Sequence, residues 1–343
     1  MRDAYLTPAS PSKGEENVVN PPPYEGGVRG GSSFERSICD TVHFFDIYDM
    51  PVTATQIWLY LIRAKSNYQH TPSLHEVQDA LRESLYLAEK LEQQFGYVVK
   101  RGRLLLVRQR LRRHAIAQDK WKIVKKCAPF LAMIPFVRGL GGSGSLAIDN
   151  TKFSSDLDIL VIVDAGRIWT TRLLLLVVSQ LLGRRRKYDS QSAPDMLCLN
   201  HYLSAARLTV SKDIQNICMA MQYAMLVPIY RDEEVRTFLQ RNSGWMDEYV
   251  RVPAVPPLRH QYTILLPEFL QFLKKQTETL LLEPIGDYIE HMAERLQQWV
   301  IFRHWQKMGG APEHGRIVLT DTELAFHPDT KVPAIVDAFA ATP

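Results

Sequence analysis

The sequence predicts an α/β (α+β) fold: a central mixed sheet with packed helices, between an N-terminal module of short helices and a helical C-terminal region. Three observations carry this. Strand and helix patterns alternate between residues 130 and 210. Two capping boxes open short helices in the first hundred residues. Helical periodicity resumes beyond a proline-containing stretch at 253–257 and continues through Gln306. At 343 residues the chain is too long for one ordinary core, so two or three modules are expected.

Composition narrows the class. A hydrophobic share of 46% with 23% charged residues belongs to a globular chain, neither disordered nor membrane-spanning. The longest apolar run, 173–182, is broken by Ser179 and Gln180 and falls short of the roughly 20 residues a bilayer demands; it reads as a buried helix. The N-terminus lacks the basic-then-apolar pattern of a secretion signal, so a cytoplasmic location and no membrane partner are expected. Cys39, Cys127, Cys198 and Cys218 are too scattered for a zinc cluster and read as reduced, structural residues. A net charge of +4 permits an anionic partner without demanding one.

Taken in order, residues 1–34 are rich in Pro, Gly and Ser and read as a disordered tail. Pro21-Pro22-Pro23-Tyr24 there has the form of a polyproline ligand, although chance explains so short a motif. In 35–110, Thr53 with Gln56 and Ser73 with Glu76 start two helices, and the apolar runs 97–99 and 104–106 flank a turn at Arg101-Gly102. Helices followed by a hairpin resemble a winged helix domain over 36–107. The segment 108–126 carries Arg108, Arg110, Arg112, Arg113, Lys120, Lys122, Lys125 and Lys126 on one helix. It reads either as a phosphate-backbone footprint for nucleic acid or as a solvated connector whose stems cover apolar surface. The α/β domain occupies 111–250, with strands at 134–140, 156–163 and 196–204 and a helix at 167–182. In 251–343 the helical spacing of Trp299, Phe302 and Trp305 indicates core packing, and 317–326 and 332–339 add a short strand and a helix.

The chemistry concentrates between two strands of that domain, in Gly141-Gly142-Ser143-Gly144-Ser145 and, ten residues on, Asp156-Leu157-Asp158. Small residues at a strand end let backbone N–H groups and the Ser145 hydroxyl approach phosphate closely, so Gly142, Ser143, Gly144 and Ser145 form a candidate nucleotide cradle. Residues i and i+2 of a strand share a face, so Asp156 and Asp158 project together and can chelate Mg²⁺ or Mn²⁺.

Gly144-Ser145, the spacer and Asp156-x-Asp158 at a strand start together resemble the DNA polymerase beta superfamily of nucleotidyltransferases, with wider phrasing close to its minimal members. The resemblance covers about 25 residues. It implies a nucleotidyltransferase core, flanked here by the winged helix and the C-terminal helical region. The implied reaction is transfer of a nucleoside monophosphate from an NTP to a hydroxyl on RNA, protein or a small molecule. Asp156 and Asp158 then hold the metals, and Gly144 and Ser145 hold the phosphates.

One departure stands out. The family commonly places a third carboxylate on the next strand, where strict alternation turns Cys198, Asn200 and Tyr202 to the cleft and His201 away. Asn200 takes the third position on that reading, and an amide ligates a metal but accepts no proton at neutral pH. Asp195 is a possible substitute. Together with the winged helix and the basic helix, the departure keeps open a nucleic-acid-binding regulator with an inactive core, and the minimal core itself keeps open the transferase-like member of a toxin–antitoxin pair. Arg138, Arg172 and the cluster Arg184 to Lys187 lie where phosphate could meet them, the cluster also reading as a solvated helix end.

Overall fold

The computed structural model describes residues 31–62, 72–186, 193–251, 260–308, 315–327 and 331–341. The expected tail motif at Pro21 to Tyr24, the prolines at 253–257 and Lys187 lie outside those residues.

The N-terminal module comprises the helices α1 (Ser33–Asp46), α2 (Ala54–Leu59), α3 (Leu74–Glu83) and α4 (Leu85–Lys90). With them goes a three-stranded antiparallel sheet in the order β1 (Val52–Thr53), β3 (Tyr97–Lys100), β2 (Leu91–Gln94). Both capping boxes form. The Thr53 and Ser73 hydroxyls accept from the backbone N–H of Gln56 and Glu76, whose side chains accept in return from the cap N–H groups, so orphan donors of each first turn are satisfied.

The hairpin lies one strand earlier than expected. β2 and β3 turn through Phe95 and Gly96, both left-handed at φ 51° and 76°, as a two-residue hairpin turn requires. Leu105 and Leu106, expected in a second wing strand, instead open the long helix α5 (Leu105–Ala132). Val107, Ala117, Trp121, Val124, Ala128 and Leu131 are buried along it at helical spacing, and that continuous apolar face outweighs the strand pattern of a short leucine run.

The second sheet has six strands, in the order β7 (Val227–Tyr230), β4 (Val137–Gly142), β5 (Leu157–Val163), β6 (Leu197–Ser204), β9 (Glu323–His327), β8 (Arg316–Leu319). β5 and β6 are parallel, and the other neighbours are antiparallel. Alternation along β5 builds a core on each face. Leu157, Ile159, Val161 and Val163 pack with α5, α7 (Ile168–Leu181) and α11 (Ile285–Met308). Leu160 and Ile162 join the core of α1, α8 (Ile217–Ala224) and α9 (Asp232–Met246). Each large side chain so buried contributes about 1.5–3 kcal/mol. The N-terminal module and one sheet face therefore share a single core, which α12 (Val332–Ala340) extends by setting Phe339 against Phe44 at 5.7 Å.

Two details of packing differ from expectation. The apolar run on α7 is amphipathic in use: Leu175 is buried while Leu181 is 80% exposed. On α11 the core takes Ala293, Gln297 and Ile301, four residues apart, which turns Trp299 outward at 55% exposure. All four cysteines are free and buried. Among the described residues no helix is long and apolar enough to cross a membrane.

Candidate functional site

The site forms where β4 ends beside the start of β5. Gly142 closes β4 against Trp121 of α5, where a Cβ would come within 2.5 Å of the indole; its smallness serves helix-to-sheet packing. Ser143 donates its N–H to the Asp158 carbonyl at 3.0 Å, tying the turn to β5, and its hydroxyl accepts from Gln222 at 3.4 Å. Gly144 begins the single turn α6 (Gly144–Ala147) at φ 58°, and a Cβ there would lie 2.4 Å from Asp158 Oδ2. Both the backbone angle and the space demand glycine. The half-exposed Ser145 accepts at its carbonyl from the Asn150 N–H at 3.0 Å.

Asp156 sits just before β5 and Asp158 inside it, both half-buried. In the parallel pairing Asp158 stands opposite Cys198 of β6. Carboxylate oxygens of both aspartates and the Cys198 sulfur all lie within 4.8 Å of one another. Arg186 makes an ion pair with Asp156 and donates to the Cys198 sulfur at 3.2 Å. Burial pushes the Asp158 carboxyl up to about 7, with the Asp156 charge adding to the rise and a hydrogen bond from the Cys198 thiol opposing it. Burial, reinforced by both carboxylates, likewise raises the Cys198 thiol. Ionising both aspartates is thus costly until a cation arrives.

The approach to Asp156 is pinned from behind. Lys120 is buried and donates to the carbonyls of Phe153 and Ser155 at 3.1 and 2.7 Å and to Asp195 at 2.7 Å. Asp195 is thereby committed to Lys120. Arg110 and Arg113 also point inward, to the Asp149 carbonyl and to Asn150 and the Tyr48 and Asp49 carbonyls. Three of the eight basic side chains of 108–126 therefore brace the fold, leaving Arg108, Arg112, Lys122, Lys125 and Lys126 exposed. Arg138 is paired with Asp164 and Glu278, and the buried Arg172 with Gln297 and the Phe326 ring.

Strict alternation along β6 fails, because the pairing shifts from Asp158↔Cys198 to Leu160↔His201, inserting one extra residue. The bulge corrects the expected orientations. His201, expected to face away, lies opposite Leu160 and bonds Glu323 at 3.0 Å; Tyr202, expected in the cleft, is buried in the opposite core. Asn200 falls in the bulge and reaches His327 at 3.4 Å. The structure thus brings together Gly144, Asp156 and Asp158, and sets Cys198 beside the carboxylates where Asn200 was expected. Sequence alternation turns Cys198 to the cleft but its spacing marks it only as a structural cysteine, and Arg186 carries only the signal of a basic cluster.

No protein family, curated protein or solved structure matches the chain.

Proposed function

We propose that this protein is a metal-dependent nucleotidyltransferase, moving a nucleoside monophosphate from an NTP to a hydroxyl. The observation that carries the reading is the convergence of Asp156 and Asp158 on a turn whose Gly144 leaves no Cβ in front of Asp158 Oδ2. The donor set suits a divalent cation such as Mg²⁺ or Mn²⁺, held by the two carboxylates; when bound, the ion neutralises charge on the polyphosphate.

The chain's own residues do the rest. With the Ser143 N–H held by the Asp158 carbonyl, the N–H groups of Gly144 and Ser145, which have no acceptor within their helix, are the ones offered to phosphate oxygens. The Lys120 contacts fix the segment entering β5 and so hold Asp156 in place. Arg186, which pairs with Asp156, would be free to meet a phosphate oxygen as a charged donor if a cation took its place at that carboxylate. In the transfer the acceptor oxygen bonds to the α-phosphorus, the α–β bridging bond breaks, and pyrophosphate leaves with the electron pair. The acceptor proton goes to water. Positioning and charge neutralisation supply most of the acceleration. The order of elements in the N-terminal module supports a winged helix reading, and with the exposed residues of 108–126 it suits a nucleic-acid acceptor.

Incubation with each labelled NTP and a divalent cation tests the reading. Label transfer or pyrophosphate release that disappears in Asp156→Ala is expected. Salt-sensitive nucleic-acid binding with no turnover under any NTP would support the inactive regulator instead.

A further inference from the structure

The third group beside the two aspartates is a sulfur, and that bears on which cation the site takes. Cys198 faces Asp158 directly across the β5–β6 pair, is 5% exposed, and has its sulfur within 4.8 Å of both carboxylates. An ion with bonds of about 2.0–2.3 Å spans at most roughly 4.6 Å between opposite ligands, so closing the three groups around one ion takes only a small movement. A cationic group already lies there: Arg186 contacts Asp156 and the Cys198 sulfur together. Asn200, the other third-ligand candidate, is turned to His327 by the bulge.

We propose that Cys198 completes the cation centre as a thiolate, so that the site takes a borderline divalent ion (Fe²⁺, Co²⁺ or Zn²⁺) in preference to Mg²⁺. The inference rests on the reading of Asp156 and Asp158 as cation holders. Mg²⁺ is hard and takes oxygen ligands; a thiolate adds affinity for softer ions and almost none for Mg²⁺. On binding, the thiol proton passes to water and a sulfur–metal bond forms; no electrons are transferred and no oxidant is involved. Cys198 is buried and paired with Asp158 in the β5–β6 register, so selectivity is built into the sheet register.

Cobalt is the probe, because thiolate ligation gives Co²⁺ an intense near-ultraviolet charge-transfer band that oxygen ligation does not. The full, reduced chain is titrated with Co²⁺ by calorimetry and absorbance, alongside Cys198→Ser, Cys198→Asp and Asp156→Asn. Three results are expected together: the wild type shows the band, Cys198→Ser binds Co²⁺ about tenfold or more weakly and loses the band, and Asp156→Asn loses binding. Cys198→Asp, which restores an all-oxygen set, should bind without the band and narrow the preference over Mg²⁺. Thermal unfolding of each variant checks that the fold survives. Co²⁺ binding that depends on Asp156 but gives no band overturns the role of Cys198 while leaving the carboxylate site standing. Absence of any Asp156-dependent binding overturns both.

Discussion

Two half-buried carboxylates of one sheet, on strands that β6 separates, are treated in opposite ways. Glu323 on β9 receives His201 at 3.0 Å and Arg316 at 2.7 Å, and these partners outweigh burial and hold its carboxyl down to about 2. Asp158 on β5 has burial and a second carboxylate beside it, and is held up to about 7. One acid is provided with a guanidinium and an imidazole by the fold, and among the described residues the other pair meets only the partly exposed Arg186. A buried charge left short of partners costs several kcal/mol, and such costs cluster where an outside ligand supplies the missing charge. The comparison separates a structural carboxylate from one arranged to receive something.

The largest expected effect falls on the short-partnered side. Asp156→Ala should lower nucleotidyl transfer about a thousand-fold while leaving the urea midpoint unchanged or raised, which a transfer assay beside an unfolding curve measures. On the satisfied side, Glu323→Ala strands His201 and Arg316 and should cost about 3–5 kcal/mol of stability; equal stability would break the contrast. Gly144→Ala forces a left-handed alanine and a Cβ into Asp158. About 1–3 kcal/mol of strain is expected, together with weaker cation binding by calorimetry.

The smallest effect is a pH dependence. His327 is held down to about 3, first by burial and then by the charges of His201 and Arg316. Its folded value lies below its unfolded one, so below pH of about 6.5 the unfolded chain takes up a proton that the folded chain refuses. The His327 contribution to stability should therefore fall as pH drops through that window toward 3, while the raised Asp158 carboxyl contributes in the opposite sense below about 7. Glu323, also depressed, adds a loss between its ordinary value of 4.5 and about 2. The loss due to His327 is the difference between wild type and His327→Gln, which should widen as pH drops from about 6.5 toward 3, as denaturation midpoints across pH will show.

How much of this was legible in the sequence depends on how local the information is. The capping boxes at Thr53 and Ser73, the strand bearing Asp156 and Asp158, and the glycine at 144 follow from spacings of a few residues, where chain geometry decides the outcome. The extra residue in β6 does not, because register is set by the partner strand; one insertion reverses His201 and Tyr202 and replaces Asn200 by Cys198 at the site. Basic periodicity on α5 likewise could not tell Lys120, which braces Asp195, from exposed Lys122, since the difference lies in what packs opposite. Arg186 reaches Asp156 across thirty positions of chain, a proximity only the fold supplies.

Thermal unfolding of the wild type and Asp158→Asn, each with and without Mn²⁺, tests the central claim most directly. Removing one of two crowded charges should raise the cation-free midpoint and abolish the rise that Mn²⁺ gives the wild type. A lower cation-free midpoint in Asp158→Asn, with Mn²⁺ stabilising both proteins equally, would contradict it.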